Sequence, residues 1–299
     1  MRILLTGKLG QLGSTLCGPL DSLGELTAID RIDLDLGDFA RLDELLDDTR
    51  PELIVNAAAY TDVDGAETDR EAAFRLNEKA PEQLAKWARR RDASIIHYST
   101  DYVFDGRGTE PRDENAECMP LNVYGESKLA GDMAVLESGA ACLVARTSWL
   151  YSASGENFVR TMLRLGSDRD RLSVVDDQIG APTSANVLAD TTLQILAQSG
   201  GDISAMLHEK GGVINVTASG ETSWQGFAHE IFSLASRHGA DLSVEAVDGI
   251  PSSDYPAPAR RPLNSRLSLE RLRERFGITP PNWRTALGKV IDEIYSLVK

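Results

Sequence analysis

Short apolar runs rich in Val, Ile and Leu recur along the first half of the chain and are separated by segments long enough for a helix. The runs are R-I-L-L-T at 2–6, L-I-V-N-A at 53–57, S-I-I-H-Y-S at 94–99 and C-L-V-A-R at 142–146. Helices are predicted at 73–91 and 125–137 among these runs, and later in the chain near 158–165, 186–198, 224–238 and 281–297. Continuous apolar character is typical of strands buried on both faces, and its alternation with helices indicates βαβ units. The sequence therefore predicts an α/β fold built on a Rossmann-like, doubly wound parallel sheet.

A glycine-rich segment, G-K-L-G-Q-L-G, follows the first predicted strand and leads directly into a helix. Gly7, Gly10 and Gly13 have the spacing of a tight turn whose backbone N–H groups can approach a pyrophosphate at the positive end of that helix. Gln11 and Leu12, which open the helix, would contact the same group. An ordinary strand-to-helix loop can also contain three glycines, so other segments must support a dinucleotide site.

Asp30 provides such support because it ends the next apolar stretch, L-T-A-I-D, 23 residues after Gly7. A carboxylate at this place can accept hydrogen bonds from ribose hydroxyls, whereas the adjacent Arg31 could receive a 2′-phosphate. The pair therefore leaves both NADH and NADPH open, and a simple turn cap is the other explanation of Asp30. Asp35 and Leu36 would lie beside the adenine, unless they belong to a surface loop.

Three alanines, Ala57, Ala58 and Ala59, end the second apolar run. Their small side chains would let the backbone pass close to a ligand at the carboxyl end of the sheet, where open α/β sheets bind ligands, or would allow tight helix packing. We predict a dinucleotide-binding domain at residues 1–149, with later returns at roughly 174–215. Beyond about 149 the pattern is less regular, and residues 150–299 are expected to form most of a smaller, discontinuous substrate-binding lobe.

Tyr124 and Lys128 lie four residues apart in Y-G-E-S-K, so both side chains would share one face of a helix and could contact the cofactor. A nearby ammonium stabilises a phenolate, which is expected to lower the pKa of the tyrosine. Tyr124 could then donate a proton to a carbonyl as hydride arrives from a nicotinamide. Thr100, at a strand end, could hydrogen-bond the same oxygen. Asn77 could organise water near the lysine or could simply cap a helix.

Composition limits the partners of the chain. Its formal net charge is −15, which argues against nucleic acid and anionic membranes as partners. No stretch approaches the roughly 18 apolar residues of a membrane span, and the first residues are too short an apolar run for a signal peptide. The three cysteines are odd in number and match no metal or redox motif, which favours a reducing, cytoplasmic setting.

The chain resembles the extended short-chain dehydrogenase/reductases over nearly its whole length. The most specific segments are V-N-A-A-A-Y-T-D-V-D-G-A-E at 55–67, H-Y-S-T-D-Y-V-F-D-G at 97–106, P-L-N-V-Y-G-E-S-K-L-A-G-D at 120–132 and R-T-S-W-L-Y at 146–151. Within that family the chain is similar to reductases of nucleotide-linked 4-keto deoxysugars. The resemblance implies NAD(P)H-dependent reduction of the 4-keto group of dTDP-4-dehydro-L-rhamnose to give dTDP-L-rhamnose.

Roles for individual residues follow from this resemblance. It implies that Thr100, Tyr124 and Lys128 form the catalytic triad and that Thr100, Asp101 and Trp149 bind the sugar. An indole near the site could cover the apolar face of a deoxysugar. The alternatives are a reductase of another nucleotide-linked 4-keto sugar and a non-catalytic, NADP-binding regulatory subunit.

Two further expectations concern the substrate pyrophosphate and a metal. Arg260 and Arg261 are the candidate cations for the pyrophosphate, or else surface ion-pair partners. Some relatives dimerise through a magnesium ion held by glutamates, one of them on the helix after the glycine turn. This chain has Ser14, Thr15 and Leu16 there, so the sequence argues against a bound metal and leaves a homodimer of another kind possible.

Overall fold

The computed structural model of the chain describes residues 1–296. The strands are β1 (Arg2–Thr6), β2 (Glu25–Ile29), β3 (Leu53–Asn56), β4 (Ser94–Thr100), β5 (Ala141–Thr147), β6 (Leu150–Tyr151), β7 (Arg171–Val175), β8 (Ile179–Gly180), β9 (Thr183–Ser184), β10 (Gly212–Asn215), β11 (Thr222–Ser223), β12 (Ala246–Ile250) and β13 (Asn264–Ser265). The helices are α1 (Gln11–Asp21), α2 (Phe39–Thr49), α3 (Arg70–Phe74), α4 (Ala80–Arg90), α5 (Val123–Glu137), α6 (Phe158–Asp168), α7 (Ala185–Ala197), α8 (Ile203–Lys210), α9 (Trp224–Arg237), α10 (Glu270–Phe276) and α11 (Trp283–Ser296).

Six strands form the central sheet in the order β10-β5-β4-β3-β1-β2, and every neighbouring pair in it is parallel. Every residue of β3, β4 and β5 is buried, because helices cover both faces of the sheet. The predicted α/β class with a Rossmann-like parallel sheet is confirmed.

Alternate side chains of each strand enter two separate apolar layers. Ile3 and Leu5 of β1 pack in the layer formed with α1, α7, α8 and α10, whereas Leu4 enters the layer formed with α2, α4 and α5. This is the two-residue period of a strand. Trp87 of α4 and Leu16 of α1 are almost completely buried, and each such side chain contributes about 1.5–3 kcal/mol. Since both faces are closed, a ligand can approach at the carboxyl edge of the sheet.

A smaller apolar core lies outside the sheet and is formed mainly by α6, α9 and α11. Phe227, Trp283 and Ile291 are fully buried there. Strand β10 follows part of this lobe in sequence and returns to the main sheet beside β5. The division into residues 1–149, with returns at roughly 174–215, and residues 150–299 stays a prediction, and 297–299 lie outside the described residues.

The long helix predicted between 73 and 91 is built from three pieces. A π-helical stretch, Arg75–Lys79, joins α3 to α4, and the combined segment begins three residues earlier than expected. Helices α2, α8 and α10 are additional to the predicted ones. Within residues 1–296, no helix combines the length and apolar character that crossing a membrane requires.

Candidate active site

The glycine turn connects β1 to α1 through backbone contacts that side chains would block. Gly7 has φ of +76°, and a Cβ on it would lie 2.9 Å from the Cα of Ala58. The Gly10 N–H donates to the Gly7 carbonyl oxygen at 3.0 Å. A Cβ on Gly13 would overlap that same oxygen. The turn is therefore pressed between the first helical turn and the alanine segment, and its close approach to both requires glycine.

The carboxylate of Asp30 joins the end of β2 to this turn. Its Oδ2 accepts a hydrogen bond from the Leu9 N–H at 3.0 Å, and its Oδ1 accepts one from the Arg31 N–H at 2.7 Å. Each oxygen keeps lone pairs that could accept from ribose hydroxyls. The Arg31 side chain is exposed and, within residues 1–296, forms no salt bridge. Asp30 thus combines the turn-capping role with a geometry that suits a ribose.

A cavity of about 790 Å³ extends from this turn along the carboxyl edge of the sheet. Its volume lies in the range of ligand pockets, roughly 300–1,000 Å³. Most residues predicted for cofactor, substrate or catalysis line it: Gly7, Gly10, Gln11, Leu12, Asp30, Arg31, Asp35, Leu36, Ala57, Ala58, Ala59, Thr100, Asp101, Tyr124, Lys128 and Trp149. Gly13 is behind the turn, where it supports Gly7 without facing the cavity.

The two predicted phosphate cations, Arg260 and Arg261, do not line this cavity. Arg261 donates to a carboxylate oxygen of Asp64 at 2.7 Å and thereby ties residues 251–262, a segment with several prolines, to the loop after β3. Arg260 is exposed, and its carbonyl oxygen accepts from the side chain of Asn122 at 2.7 Å. Arg261 is thus an ion-pair partner, the second of the two roles that the sequence left open for these arginines. A phosphate role for either arginine stays a prediction.

Tyr124 and Lys128 lie on the first turns of α5, which Asn122 caps by accepting from the Gly125 N–H at 2.8 Å. The Lys128 ammonium is buried and donates to the Tyr98 carbonyl oxygen at 2.7 Å. Thr100 ends β4, and its hydroxyl oxygen accepts from the Tyr102 N–H at 3.1 Å. All three residues line the same cavity.

The expected lowering of the tyrosine pKa is wrong. Burial raises the pKa of the Tyr124 phenol, and the neighbouring Thr100 hydroxyl opposes this rise only in part. The same burial lowers the pKa of Lys128 to about 8. Burial dominates at both groups because each loses the water that stabilises its charged form. The phenol consequently keeps its proton at neutral pH, which is the form that a carbonyl reduction consumes.

Asn77 neither caps a helix nor has a hydrogen available for a water molecule beside the lysine. It lies in the π-helical stretch, where its Oδ1 accepts from the Tyr60 N–H at 2.8 Å. Its Nδ2 donates to the Tyr60 carbonyl oxygen at 3.0 Å and to the Ser127 hydroxyl at 2.9 Å. Both amide hydrogens are thus used, and Asn77 holds the segment after Ala59 against α5.

Trp149 has a stacking partner that the sequence analysis missed. Its ring lies parallel to that of Trp224, with centroids 3.7 Å apart and 11° between planes, and both residues line the cavity. Trp149 also has φ of +49°, which is unusual for a bulky residue. A Cβ on Gly180 would lie 2.9 Å from the Trp149 ring. Trp224 is 75 residues away in sequence, and no local pattern indicates the pairing.

Comparison with known proteins identifies one family along nearly the whole chain. The family model described as the RmlD substrate binding domain matches residues 1–296. The dTDP-4-dehydrorhamnose reductase of Burkholderia thailandensis is 45% identical over 298 residues, which cover 99% of this chain and 100% of that protein. The chain belongs to the dTDP-4-dehydrorhamnose reductase family.

Solved structures of the dTDP-4-dehydrorhamnose reductase family share the fold. One from Clostridium acetobutylicum has a TM-score of 0.89 at 35% identity, and the match covers 98% of this chain and 99% of that chain. One from Bacillus anthracis, in complex with NADP, has a TM-score of 0.87 at 34% identity with the same two coverages. Membership makes this chain a nicotinamide-dependent oxidoreductase. Within residues 1–296, no group of three or more His, Cys, Asp or Glu side chains is placed to hold a metal ion.

In this member of the dTDP-4-dehydrorhamnose reductase family, the carboxyl group of Asp101 has a raised pKa. The residue is buried, and burial raises its pKa to about 7, although the hydroxyls of Ser265 and Thr100 oppose the rise. Between about pH 4 and pH 7 the unfolded chain releases this proton while the folded chain retains it. Folding therefore loses stability as the pH rises through that window, and the full cost remains above it.

Replacing Asp101 by Asn should accordingly raise the thermal unfolding temperature at pH 8 and leave it nearly unchanged at about pH 4. A neutral amide avoids the ionisation cost, which is of order 2–4 kcal/mol for a difference of about three pH units. The measurement is calorimetry at both pH values. Asp254→Asn removes an exposed carboxylate and controls for the change in net charge. An equal shift of unfolding temperature at both pH values would show that Asp101 is ionised in the folded protein near neutrality.

Proposed function

We propose that this chain catalyses the NADPH-dependent reduction of the 4-keto group of dTDP-4-dehydro-L-rhamnose, giving dTDP-L-rhamnose. One observation carries the proposal: a single cavity joins the glycine turn to Thr100, Tyr124, Lys128 and Trp149 in a chain that belongs to this reductase family. The alternative of a non-catalytic subunit would not require a protonated phenol and a buried ammonium beside that cavity.

The dinucleotide fits residues of this chain at several places. The glycine turn leaves room where a Cβ would collide, so the backbone N–H groups of Gln11 and Leu12, which follow Gly10, would hold the pyrophosphate. The side chain of Gln11 is already engaged, since its Oε1 accepts from Ser152 and Asn157 at 3.1 and 2.9 Å. The remaining cavity residues assigned to the cofactor would flank the adenosine and the nicotinamide: Asp30, Arg31, Asp35, Leu36, Ala57, Ala58 and Ala59.

The cofactor is NADPH on this proposal, with NADH as a weaker substitute. Arg31 is exposed at the mouth of the cavity and would pair with a 2′-phosphate, whereas Asp30 can accept from an unmodified ribose. A magnesium-free enzyme, a homodimer and a cytoplasmic location stay predictions.

Proton transfer rests on the residues at the far end of the cavity. A nicotinamide dinucleotide bound there would supply the hydride for C4 of the sugar. Tyr124 donates its phenolic proton to the C4 oxygen, and the Thr100 hydroxyl hydrogen-bonds the same oxygen as negative charge develops there. The Lys128 ammonium stabilises the phenolate left on Tyr124, which then regains a proton from solvent. The substrate oxygen thus gains one proton and its carbon one hydride, which completes the hydroxyl.

Sugar recognition would use the surfaces beside this proton donor. Trp149 presents an indole that would cover the apolar face of the deoxysugar. The Asp101 carboxyl, whose pKa burial raises to about 7, would donate to a sugar hydroxyl when protonated or accept from one when ionised. Arg260 or Arg261 would need to turn toward the cavity to reach the substrate pyrophosphate.

The decisive experiment mixes the purified chain with NADPH and freshly prepared dTDP-4-dehydro-L-rhamnose. We expect loss of reduced-nicotinamide absorbance and formation of dTDP-L-rhamnose, with NADH compared at subsaturating concentration. Turnover only with a different 4-keto sugar nucleotide would establish the related reductase instead. Tight NADP binding without turnover of any such substrate would support the regulatory subunit.

A further inference from the structure

A buried ionic cluster lies beneath the proposed proton donor, on the side away from the cavity. Asp132 follows Lys128 by one turn of α5 and has no exposed surface. Its Oδ2 accepts from the Arg146 Nε of β5 at 3.1 Å, and the Arg146 side chain is only 4% exposed. His97 of β4 is also fully buried. Charged groups are costly to bury, so a cluster of this kind requires an explanation.

The hydrogen bonds of His97 indicate which ring nitrogen carries its proton. The Thr6 hydroxyl donates to Asn56 Oδ1 at 2.6 Å. The amide nitrogen of Asn56 therefore faces His97 Nδ1, at 3.0 Å, and donates to it. Burial and the nearby Lys128 ammonium lower the pKa of His97 well below its usual range, so the ring is neutral. A neutral ring that accepts at Nδ1 carries its hydrogen on Nε2.

The Nε2–H of His97 lies between two groups. The Lys128 Nζ is 3.5 Å away, and Asp132 Oδ1 is 4.0 Å away. An ammonium has no lone pair, so it cannot accept this hydrogen. Within residues 1–296, Asp132 Oδ1 has no hydrogen-bond partner. Of these two groups only the carboxylate oxygen attracts the His97 hydrogen while Lys128 is charged, and at 4.0 Å it does so as a charge–dipole contact and not as a hydrogen bond.

We propose that Asp132, paired with Arg146 and oriented by His97, is a positioning residue that keeps Lys128 as an ammonium during the reduction. The inference deepens the proposed function and rests on it. Lys128 would otherwise be a buried cation without a buried anion close to it, and such a lysine tends to lose its proton. Burial raises the pKa of the Asp132 carboxyl, and the Arg146 guanidinium, which retains its charge at every accessible pH, opposes that rise.

The surroundings of Lys128 act on its pKa in opposite directions. The titratable and charged side chains that face it from the packed elements are Tyr124 and Asp132 of α5, His97 of β4, Arg146 of β5 and Asp101 of the turn after β4. Burial lowers the pKa of Lys128 to about 8, and Asp132 opposes the lowering. Reduction needs the ammonium, so activity should fall as the pH rises through this value, and it should fall earlier when Asp132 is neutral.

The test is the pH dependence of kcat/KM for the sugar nucleotide in Asp132→Asn. We expect its alkaline limb to move at least about one pH unit toward acid, the effect of removing an opposite charge at this range. If the single variant does not fold, Asp132→Asn combined with Arg146→Met removes both charges and should fold, with a smaller displacement in the same direction. Glu126→Gln makes the same charge change on the surface of α5, where Glu126 pairs with Arg70, and should leave the limb in place.

A second readout does not depend on turnover. The chain has only four histidines, so nitrogen-15-labelled histidine can be followed by NMR in the full chain. His97 should remain neutral, with its hydrogen on Nε2, between about pH 6 and pH 9, and its Nε2 signal should change near the titration of Lys128. Lower activity with an unmoved alkaline limb would overturn the proposal and leave Asp132 a packing residue. An inactive wild type with the expected histidine signals would instead contradict only the proposed function.

Discussion

Tyr124→Phe should lower kcat about 10²–10⁴-fold while leaving the affinity for NADPH within about twofold of wild type. The variant removes the transferable proton and keeps the ring. That ring packs edge-on against Tyr102, with centroids 5.6 Å apart and planes at 81°, and a phenylalanine would preserve this contact. The loss should therefore fall on the chemical step, with little effect on folding or on cofactor binding.

Rapid mixing of enzyme and NADPH with the sugar nucleotide would measure the chemical step, and equilibrium titration would measure cofactor affinity. Tyr102→Phe is the informative comparison because the phenol of Tyr102 borders the same cavity. We expect it to lose much less activity than Tyr124→Phe. The opposite ranking would make Tyr102 the proton donor and remove Tyr124 from that role.

Gly13→Ala should abolish measurable NADPH binding and lower the free energy of unfolding by at least about 2 kcal/mol. The added Cβ would overlap the Gly7 carbonyl oxygen, which is backbone and cannot rotate away. Relief would require α1 to move from the turn, and the N–H groups proposed to hold the pyrophosphate would move with it.

Denaturant unfolding and cofactor titration would measure the two effects of this substitution separately. Gly18→Ala is its matched control, because Gly18 lies on the same helix and a Cβ there meets nothing within 4 Å. Replacing a helical glycine by alanine in open space should stabilise the protein by roughly 0.5–1 kcal/mol. A Gly13→Ala protein with wild-type stability and affinity would show that the turn can open without cost.

Apolar periodicity predicted the main elements because their signals are local. Strands β3, β4 and β5 are continuous apolar runs, and such runs occur where a sheet is covered on both faces. Helix α2 is different. Its Asp38 cap and its buried Leu42 and Leu46 are a recognisable amphipathic pattern that the predicted elements did not include. The short helices α8 and α10 carry weaker patterns, and packing contributes more to their formation.

The cavity could be predicted because parallel strands bring their carboxyl ends to one edge. Residues that follow different strands, such as Asp30, Ala57 and Thr100, are distant in sequence but must meet there. The same rule does not apply to the loops of the second lobe. Arg261 bonds to Asp64, and Trp224 stacks on Trp149, because long connections return to the sheet at places that no periodicity specifies.

Tyr124 and Lys128 illustrate the division between sequence and tertiary structure. Their spacing on a helix is a property of local geometry, so the pairing of a phenol with an ammonium beside a glycine turn could be predicted from the order of residues. The charge states of the two side chains could not be predicted from that order. Burial raises the pKa of the phenol and lowers that of the ammonium. His97 of β4 lies beside the lysine, and Arg146 of β5 pairs with Asp132. Desolvation and long-range Coulomb interactions depend on distances in three dimensions, which become defined when the chain packs.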